Sequence, residues 1–185
     1  MLVREGLTPE SIIIAEGAES AAQVISQLCS ELAGRLGVDR TVLQRAVMDR
    51  ERARTTAFSN GAAIPHCRLP GLRRFGIAMM ILRQSVRWDA EGRAVDTIML
   101  ITGPTDQVSD HLRILANCSQ LLDSRALRQK LRSAPDPASA YELLSAAEAA
   151  VEERRSQDGL LREIRKDESG TQKDYLAEVA ARFPW

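Results

Sequence analysis

Two stretches that lie close together in the chain set the first constraint on its fold. Ile77-Ala78-Met79-Met80-Ile81-Leu82 is continuously apolar, and Val95 to Ile101, largely apolar and ending at Gly103-Pro104, reads as another such strand. Short apolar runs bounded by turn residues read as strands covered on both faces rather than strands with one wet side. Their closeness leaves room for an antiparallel pair, and Val86 to Trp88 pairs with the first run or extends it. Ile12-Ile13-Ile14 is β-branched and reads as a buried first strand. Helical periodicity fills much of the rest. Val24, Leu28, Leu32 and Leu36 recur every four residues from about Ser20, and Gly37 fits the stop. Asp39 suits the N-cap of a second helix, with Val42, Leu43, Ala46, Val47 and Arg50 on one side. Ser109 suits the N-cap of another, from Asp110 to about Leu122, with Leu112, Leu115, Ala116 and Ser119 on one face. Shorter helices follow at Ser124 to Leu131 and Pro137 to Ala150. Helices alternating with a few buried strands imply a layered α/β domain with a mixed sheet.

The chain of 185 residues holds one ordinary domain and leaves little room for a second. We divide it into a domain over 1–150 and a charged amphipathic helical extension over 151–185. Leu160, Leu161 and Ile164 make one apolar stripe of that extension, and Tyr175, Leu176, Val179 and Phe183 make another; Gly159 and Ser169-Gly170 read as breaks. Such stripes suit a helix lying on its own domain, a homodimer contact or a contact with another partner. The 25 acidic residues balance the 25 basic ones, which argues against a general nucleic-acid binder and against a polybasic membrane-surface protein. No apolar run approaches the roughly 20 residues that cross a bilayer. The opening Met1-Leu2-Val3-Arg4-Glu5 lacks the basic-then-apolar layout of a secretion signal, so a cytoplasmic protein without membrane insertion is expected. The three cysteines, Cys29, Cys67 and Cys118, are widely spaced, and reduced thiols are the default.

Thr55 to Leu72 differs from its surroundings. It contains Gly61, Pro65, Pro70 and Gly71 and reads as loop, with at most a short extended piece at Ala62 to Pro65. His66 follows that piece. Pro65 fixes its own φ and restrains the residue before it, while Gly61 allows a sharp turn or close approach. A histidine at the end of so stiff a segment is well placed to present one ring nitrogen to a partner. The chain's other histidine, His111, falls in the first turn of the helix placed after Ser109. Helix N-termini favour anions, so convergence of the two histidines would put a nucleophile beside an anion-binding terminus.

These residues also carry a resemblance. Arg50-Glu51, then Thr55-Thr56-Ala57-Phe58-Ser59-Asn60-Gly61-Ala62-Ala63-Ile64-Pro65-His66, resembles the signature of the fructose/mannitol-type enzyme IIA family of the bacterial phosphotransferase system. That family includes the nitrogen-related regulatory IIA proteins. Asp110-His111-Leu112-Arg113-Ile114-Leu115-Ala116 looks like the family's second block, and the likeness spans about residues 8 to 150. The resemblance implies a three-layer α/β/α domain, with a small mixed sheet between helical layers. It implies that His66 accepts phosphate from a histidine-containing phosphocarrier protein, that His111 supports it and that Arg50 is the active-site arginine. Thr56, Asn60 and Gly61 become candidates for contact with phosphate. A guanidinium suits phosphate in charge and geometry, and a neutral imidazole is available near pH 7. No nucleotide or other cofactor is needed, and no phosphate-binding Gly-x-x-x-x-Gly-Lys loop is present. The chain departs from the family where Ala57-Phe58-Ser59 replaces a Gly-Ile-Gly turn and where Ala62 replaces an isoleucine, which bears on donor specificity and rate.

A zinc site built from His66, Cys67, His111 and Cys118 lacks any Cys-x-x-Cys or His-x-x-x-His pair, so no metal is expected. Adjacent side chains of an extended segment point apart, which weakens a His66–Cys67 nucleophilic pair. Three functions remain: a regulatory, nitrogen-related phosphocarrier acting on target proteins; a sugar-specific IIA component passing phosphate to a separate IIB domain; and a binding module that kept the fold without phosphotransfer.

Overall fold

The computed structural model describes residues 2–166, with side chains described through residue 157. Its centre is a hairpin of two long strands, β4 (Gly76–Arg87) and β5 (Ala94–Pro104). They run antiparallel with Ile77 opposite Ile101 and Met79 opposite Met99, and the register shifts between Ile81 and Val86. On one edge β1 (Ile12–Ala15) joins β4 in parallel. On the other edge β2 (Ala62–Ala63) and β3 (His66–Leu69) both run parallel to β5, giving a mixed five-stranded sheet.

Alternation along the strands divides the core in two. Ile77, Met79, Ile81, Met99 and Ile101 face one way, into a core shared with Ile114, Leu115, Leu127, Leu131 and Leu144. These last come from α4 (Val108–Asp123), α5 (Arg125–Arg132) and α6 (Pro137–Lys166). Ala78, Met80, Leu82, Ile98 and Leu100 face the other way, onto Val24, Leu28, Leu32, Leu43 and Val47. Those belong to α2 (Ala21–Leu36) and α3 (Arg40–Ala53). The domain is therefore the expected three-layer α/β/α sandwich around a mixed sheet.

Local chemistry sets the ends of α2 and α3 as the sequence suggests. Ser20 accepts the Gln23 amide at 3.2 Å, Gly37 closes α2 at φ 67°, and Asp39 accepts the Val42 amide at 3.0 Å. Val42 itself is 56% exposed and does not share the buried side of α3 with Leu43 and Val47. A short α1 (Val3–Gly6) leans on α6, where the buried Glu148 carboxylate accepts the amides of Val3 at 2.5 Å and Arg4 at 3.2 Å.

Three expectations need correction. The segment holding His66 is not a loop: β3 begins at His66 and follows β2 along β5. Pro65 between them has no N–H, but its carbonyl accepts the Ile101 amide at 3.0 Å, so the pairing runs through it. An edge strand tolerates that. Second, α4 starts at Val108 with Gln107 at its N-cap, not with Ser109 as cap. Its buried face carries His111, Ile114, Leu115 and Cys118, while Leu112 is only half-buried. Third, α6 passes through residue 150 and Gly159 without a break. The stripe of Tyr175, Leu176, Val179 and Phe183 lies outside the described residues, and so do the side chains of Leu160, Leu161 and Ile164. Among the described residues no helix is long and apolar enough to cross a membrane.

Candidate active site

Strand parity aims His66. Its neighbours Cys67 and Leu69 pack into the core beneath α2 and α3. His66 therefore points to the opposite face, the one covered by α4. There the ring is 1% exposed, and Nδ1 lies 2.7 Å from the Ile64 carbonyl oxygen. A carbonyl accepts only, so Nδ1 carries the proton and the lone pair resides on Nε2. The turn at Ile64-Pro65 thus fixes both the orientation and the tautomer of the ring.

His111 meets His66 from α4. The two ring centroids are 5.7 Å apart with their planes tilted by 56°, and His111 is fully buried. The backbone amide of His111 is taken by the Gln107 carbonyl at 3.1 Å, so it is the ring that faces His66. On another side Phe75 holds His111, its ring centroid 5.9 Å away. Phe75 fits because Gly103 of β5 lacks a side chain: a Cβ there would sit 2.2 Å from the Phe75 ring.

Burial keeps both imidazoles neutral. Desolvation pulls His66 down to about 4, opposed by its bond to the Ile64 carbonyl and helped by the charges of Arg50 and Arg68. Desolvation also pulls His111 down to about 3, with His66 and Arg68 adding to it. Arg50, near the end of α3, is half-buried and donates from Nη1 to the Arg54 carbonyl at 2.9 Å. Its charge is close enough to oppose protonation of His66.

The loop before β2 is held by Glu51, the residue after Arg50. Its carboxylate accepts four hydrogen bonds, from Thr55 Oγ1 at 3.1 Å, the Thr56 amide at 2.8 Å, Thr56 Oγ1 at 2.6 Å and Trp88 Nε1 at 2.8 Å. The Thr56 carbonyl in turn accepts the Ile64 amide at 3.3 Å. Asn60 donates to Asp123 Oδ1 at 3.2 Å and accepts the Ala62 amide at 3.1 Å. Gly61 adopts φ 95° and its carbonyl accepts the Asp96 amide at 2.9 Å. The hydrogen bonds of Thr56, Asn60 and Gly61 fasten the loop to α3, α4 and β5. His66 and His111, by contrast, come together ring to ring.

Two residues near the site escaped the sequence reading. Glu51 was legible only as half of an Arg-Glu pair. Arg68 lies two residues after His66, and the period of a strand places it on the same face. That signal was available once the segment was recognised as a strand. Cys67 points the other way, and burial pushes its thiol up to about 11, far from a thiolate. Among the described residues no group of three or more His, Cys, Asp or Glu side chains is arranged to hold a metal ion.

A mixed sheet between two helical layers, with two buried neutral histidines facing each other at the sheet edge, defines a narrow class of domain. The chain belongs to the family described as phosphoenolpyruvate-dependent sugar phosphotransferase system, EIIA 2, whose profile matches residues 5–147. It is 30% identical over 146 residues to a nitrogen regulatory protein of Bradyrhizobium diazoefficiens, covering 78% of this chain and 95% of that protein. Its fold matches the nitrogen regulatory protein IIA-Ntr from Neisseria meningitidis with a TM-score of 0.70 at 20% identity, covering 76% of this chain and 97% of that one. It also matches the structure of the complex of enzyme IIA mannitol with phosphorylated enzyme IIB mannitol from Escherichia coli, with a TM-score of 0.64 at 18% identity, over 76% of this chain and 97% of that one.

Proposed function

We propose that this protein is a phosphoryl carrier that accepts phosphate on Nε2 of His66 from a histidine-containing phosphocarrier protein and serves a regulatory, nitrogen-related role. The observation that carries the reading is the bond from His66 Nδ1–H to the Ile64 carbonyl, because it commits the lone pair to Nε2 before any donor arrives. In the transfer that lone pair forms a bond to phosphorus while the donor's P–N bond breaks, its electron pair returning to the donor's ring nitrogen. The His66 ring gains positive charge as the bond forms, and the Ile64 carbonyl dipole at Nδ1–H is already oriented to stabilise it. His111, 5.7 Å away between centroids, flanks the phosphoryl group, and Arg50 supplies positive charge. Positioning and charge carry the reaction, and no dedicated base is required.

The regulatory role is supported by the likeness to a nitrogen regulatory protein over nearly its whole length. The sugar-transport reading, with phosphate passed to a IIB domain, draws its support from the fold shared with enzyme IIA mannitol in its complex with phosphorylated enzyme IIB mannitol. A phosphotransfer-inactive module is the third reading, and two neutral, converging histidines argue against it.

The test is phosphorylation by a phosphoenolpyruvate-driven donor system, comparing wild type with His66→Ala and His111→Ala. Acid-labile, base-stable phosphate on wild type and none on His66→Ala is the expected result, with slower uptake or a shorter-lived product for His111→Ala. Label retained on His66→Ala rejects the acceptor, and unchanged kinetics in His111→Ala removes its supporting role.

A further inference from the structure

A phosphoryl group on His66, a ring only 1% exposed, brings roughly two negative charges into a buried site, and buried charge is costly unless it is paired. Arg50 approaches from α3. The other approach to His66 comes from β3 itself. Arg68 follows His66 by two residues, so strand alternation places both side chains on the face covered by α4. Their partners across the ladder are Ile101 and Gly103. At Gly103 no side chain rises from β5, and the Phe75 ring occupies that space while it touches His111. Arg68 is half-buried, and its Nη1 donates to the Thr105 carbonyl at 3.3 Å, in the link between β5 and α4. The guanidinium is thereby tied to the link that leads from β5 into α4. Its charge opposes protonation of both rings, whereas that of Arg50 acts on His66.

We propose that Arg68 is a second phosphoryl-holding residue, its guanidinium facing the phosphate on His66 from the β3 side while Arg50 faces it from α3. The proposal rests on the reading of His66 as acceptor. A guanidinium suits the task because its fork has five N–H donors: one stays on the Thr105 carbonyl while others reach phosphate oxygens.

Phosphoramidate tests this without a protein donor. The His66 Nε2 lone pair forms the new P–N bond as the P–N bond of phosphoramidate breaks and ammonia leaves. Wild type, Arg68→Gln, Arg68→Lys and the surface control Arg113→Gln are phosphorylated, and decay of the phosphohistidine is followed by 31P NMR. Loss of a charge-assisted contact predicts roughly tenfold faster hydrolysis in Arg68→Gln, an intermediate half-life in Arg68→Lys and no change in Arg113→Gln. Imidazole titrations of the unphosphorylated proteins add a readout that a merely structural role leaves still. Both His66 and His111 titrate at higher pH in Arg68→Gln, while Arg50→Gln moves His66 the more. Equal half-lives for wild type and Arg68→Gln overturn the role of Arg68 while leaving the acceptor intact. Failure to label His66 in wild type overturns the acceptor reading and this proposal together. If Arg68→Gln fails to fold, a wild-type half-life in Arg68→Lys, which lacks the fork, overturns the proposal alone.

Discussion

A single carboxylate does much to shape the surroundings of His66. Glu51 accepts from Thr55, Thr56 and Trp88, the Thr56 carbonyl accepts from Ile64, and the Ile64 carbonyl accepts from the His66 ring. A continuous set of hydrogen bonds thus joins the C-terminal turns of α3 to the nitrogen opposite the reactive one. Glu51→Gln keeps the size of the side chain but removes its charge, turning charge-assisted bonds into neutral ones and placing an NH2 group where an acceptor stood. We predict a loss of about 1–3 kcal/mol in stability, measured by urea denaturation, together with slower phosphate uptake at His66. Unchanged stability and uptake would show that the loop holds its shape without this anchor. Nothing in the sequence marks Glu51 as a hub, because Trp88 lies 37 positions away in the chain and meets Glu51 only through the tertiary fold. His66 and His111 were legible, because Pro65 and the two short blocks around them are local features. Arg68 was not, since its meaning depends on the segment being a strand.

At the scale of elements, the central hairpin and the first strand, β1, were readable, whereas the strands on either side of Pro65 were not. The continuous apolar run Ile77–Leu82 and the largely apolar stretch Val95–Ile101 signal strands buried on both sides, and β4 and β5 are those strands. β2 and β3 are too short, and too interrupted by Pro65, to show any periodicity; their identity comes from the Ile101 amide reaching back to the Pro65 carbonyl. The start of α4 was misplaced for a related reason. Ser109 has cap chemistry, yet packing of His111, Ile114 and Leu115 onto the sheet carries the helix back to Val108 without a side-chain cap. Gly103 shows how an element controls the site. A methyl group there meets the Phe75 ring at 2.2 Å, and Phe75 is the wall behind His111. We predict that Gly103→Ala costs about 1–3 kcal/mol by overpacking and displaces the His111 ring. Thermal unfolding and the ring proton shifts of His111 measure the two effects. A stable variant with unmoved His111 resonances would mean that Phe75 has another place to go.

For the molecule as a whole, folding must take two histidines out of water, and this couples the site to global stability. Both titrate near 6.5 in the unfolded chain, whereas in the folded protein His66 is held at about 4 and His111 at about 3, in each case chiefly by burial. Between these limits the unfolded state binds more protons than the folded one, so unfolding is favoured as pH falls. The sign is therefore fixed: the two rings leave stability level above pH 7, and they erode it as pH drops from 6.5 toward 4. At pH 5 each ring accounts for a loss of about 2 kcal/mol relative to pH 7.5. Denaturant midpoints at the two pH values test this, with His66→Gln and His111→Gln as references, since each removes one titrating group and should remove about half of the difference. The comparison isolates the histidines from the depressed carboxyls of Asp89 and Asp136, which stay ionised over this interval and remain in every variant. Equal pH sensitivity in wild type and both variants would mean that the rings are hydrated in solution. The same burial that makes acid destabilising keeps the His66 nucleophile neutral, so acceptor activity should stay level from pH 8 to about 5.5, below the point at which an unshifted imidazole would be mostly protonated.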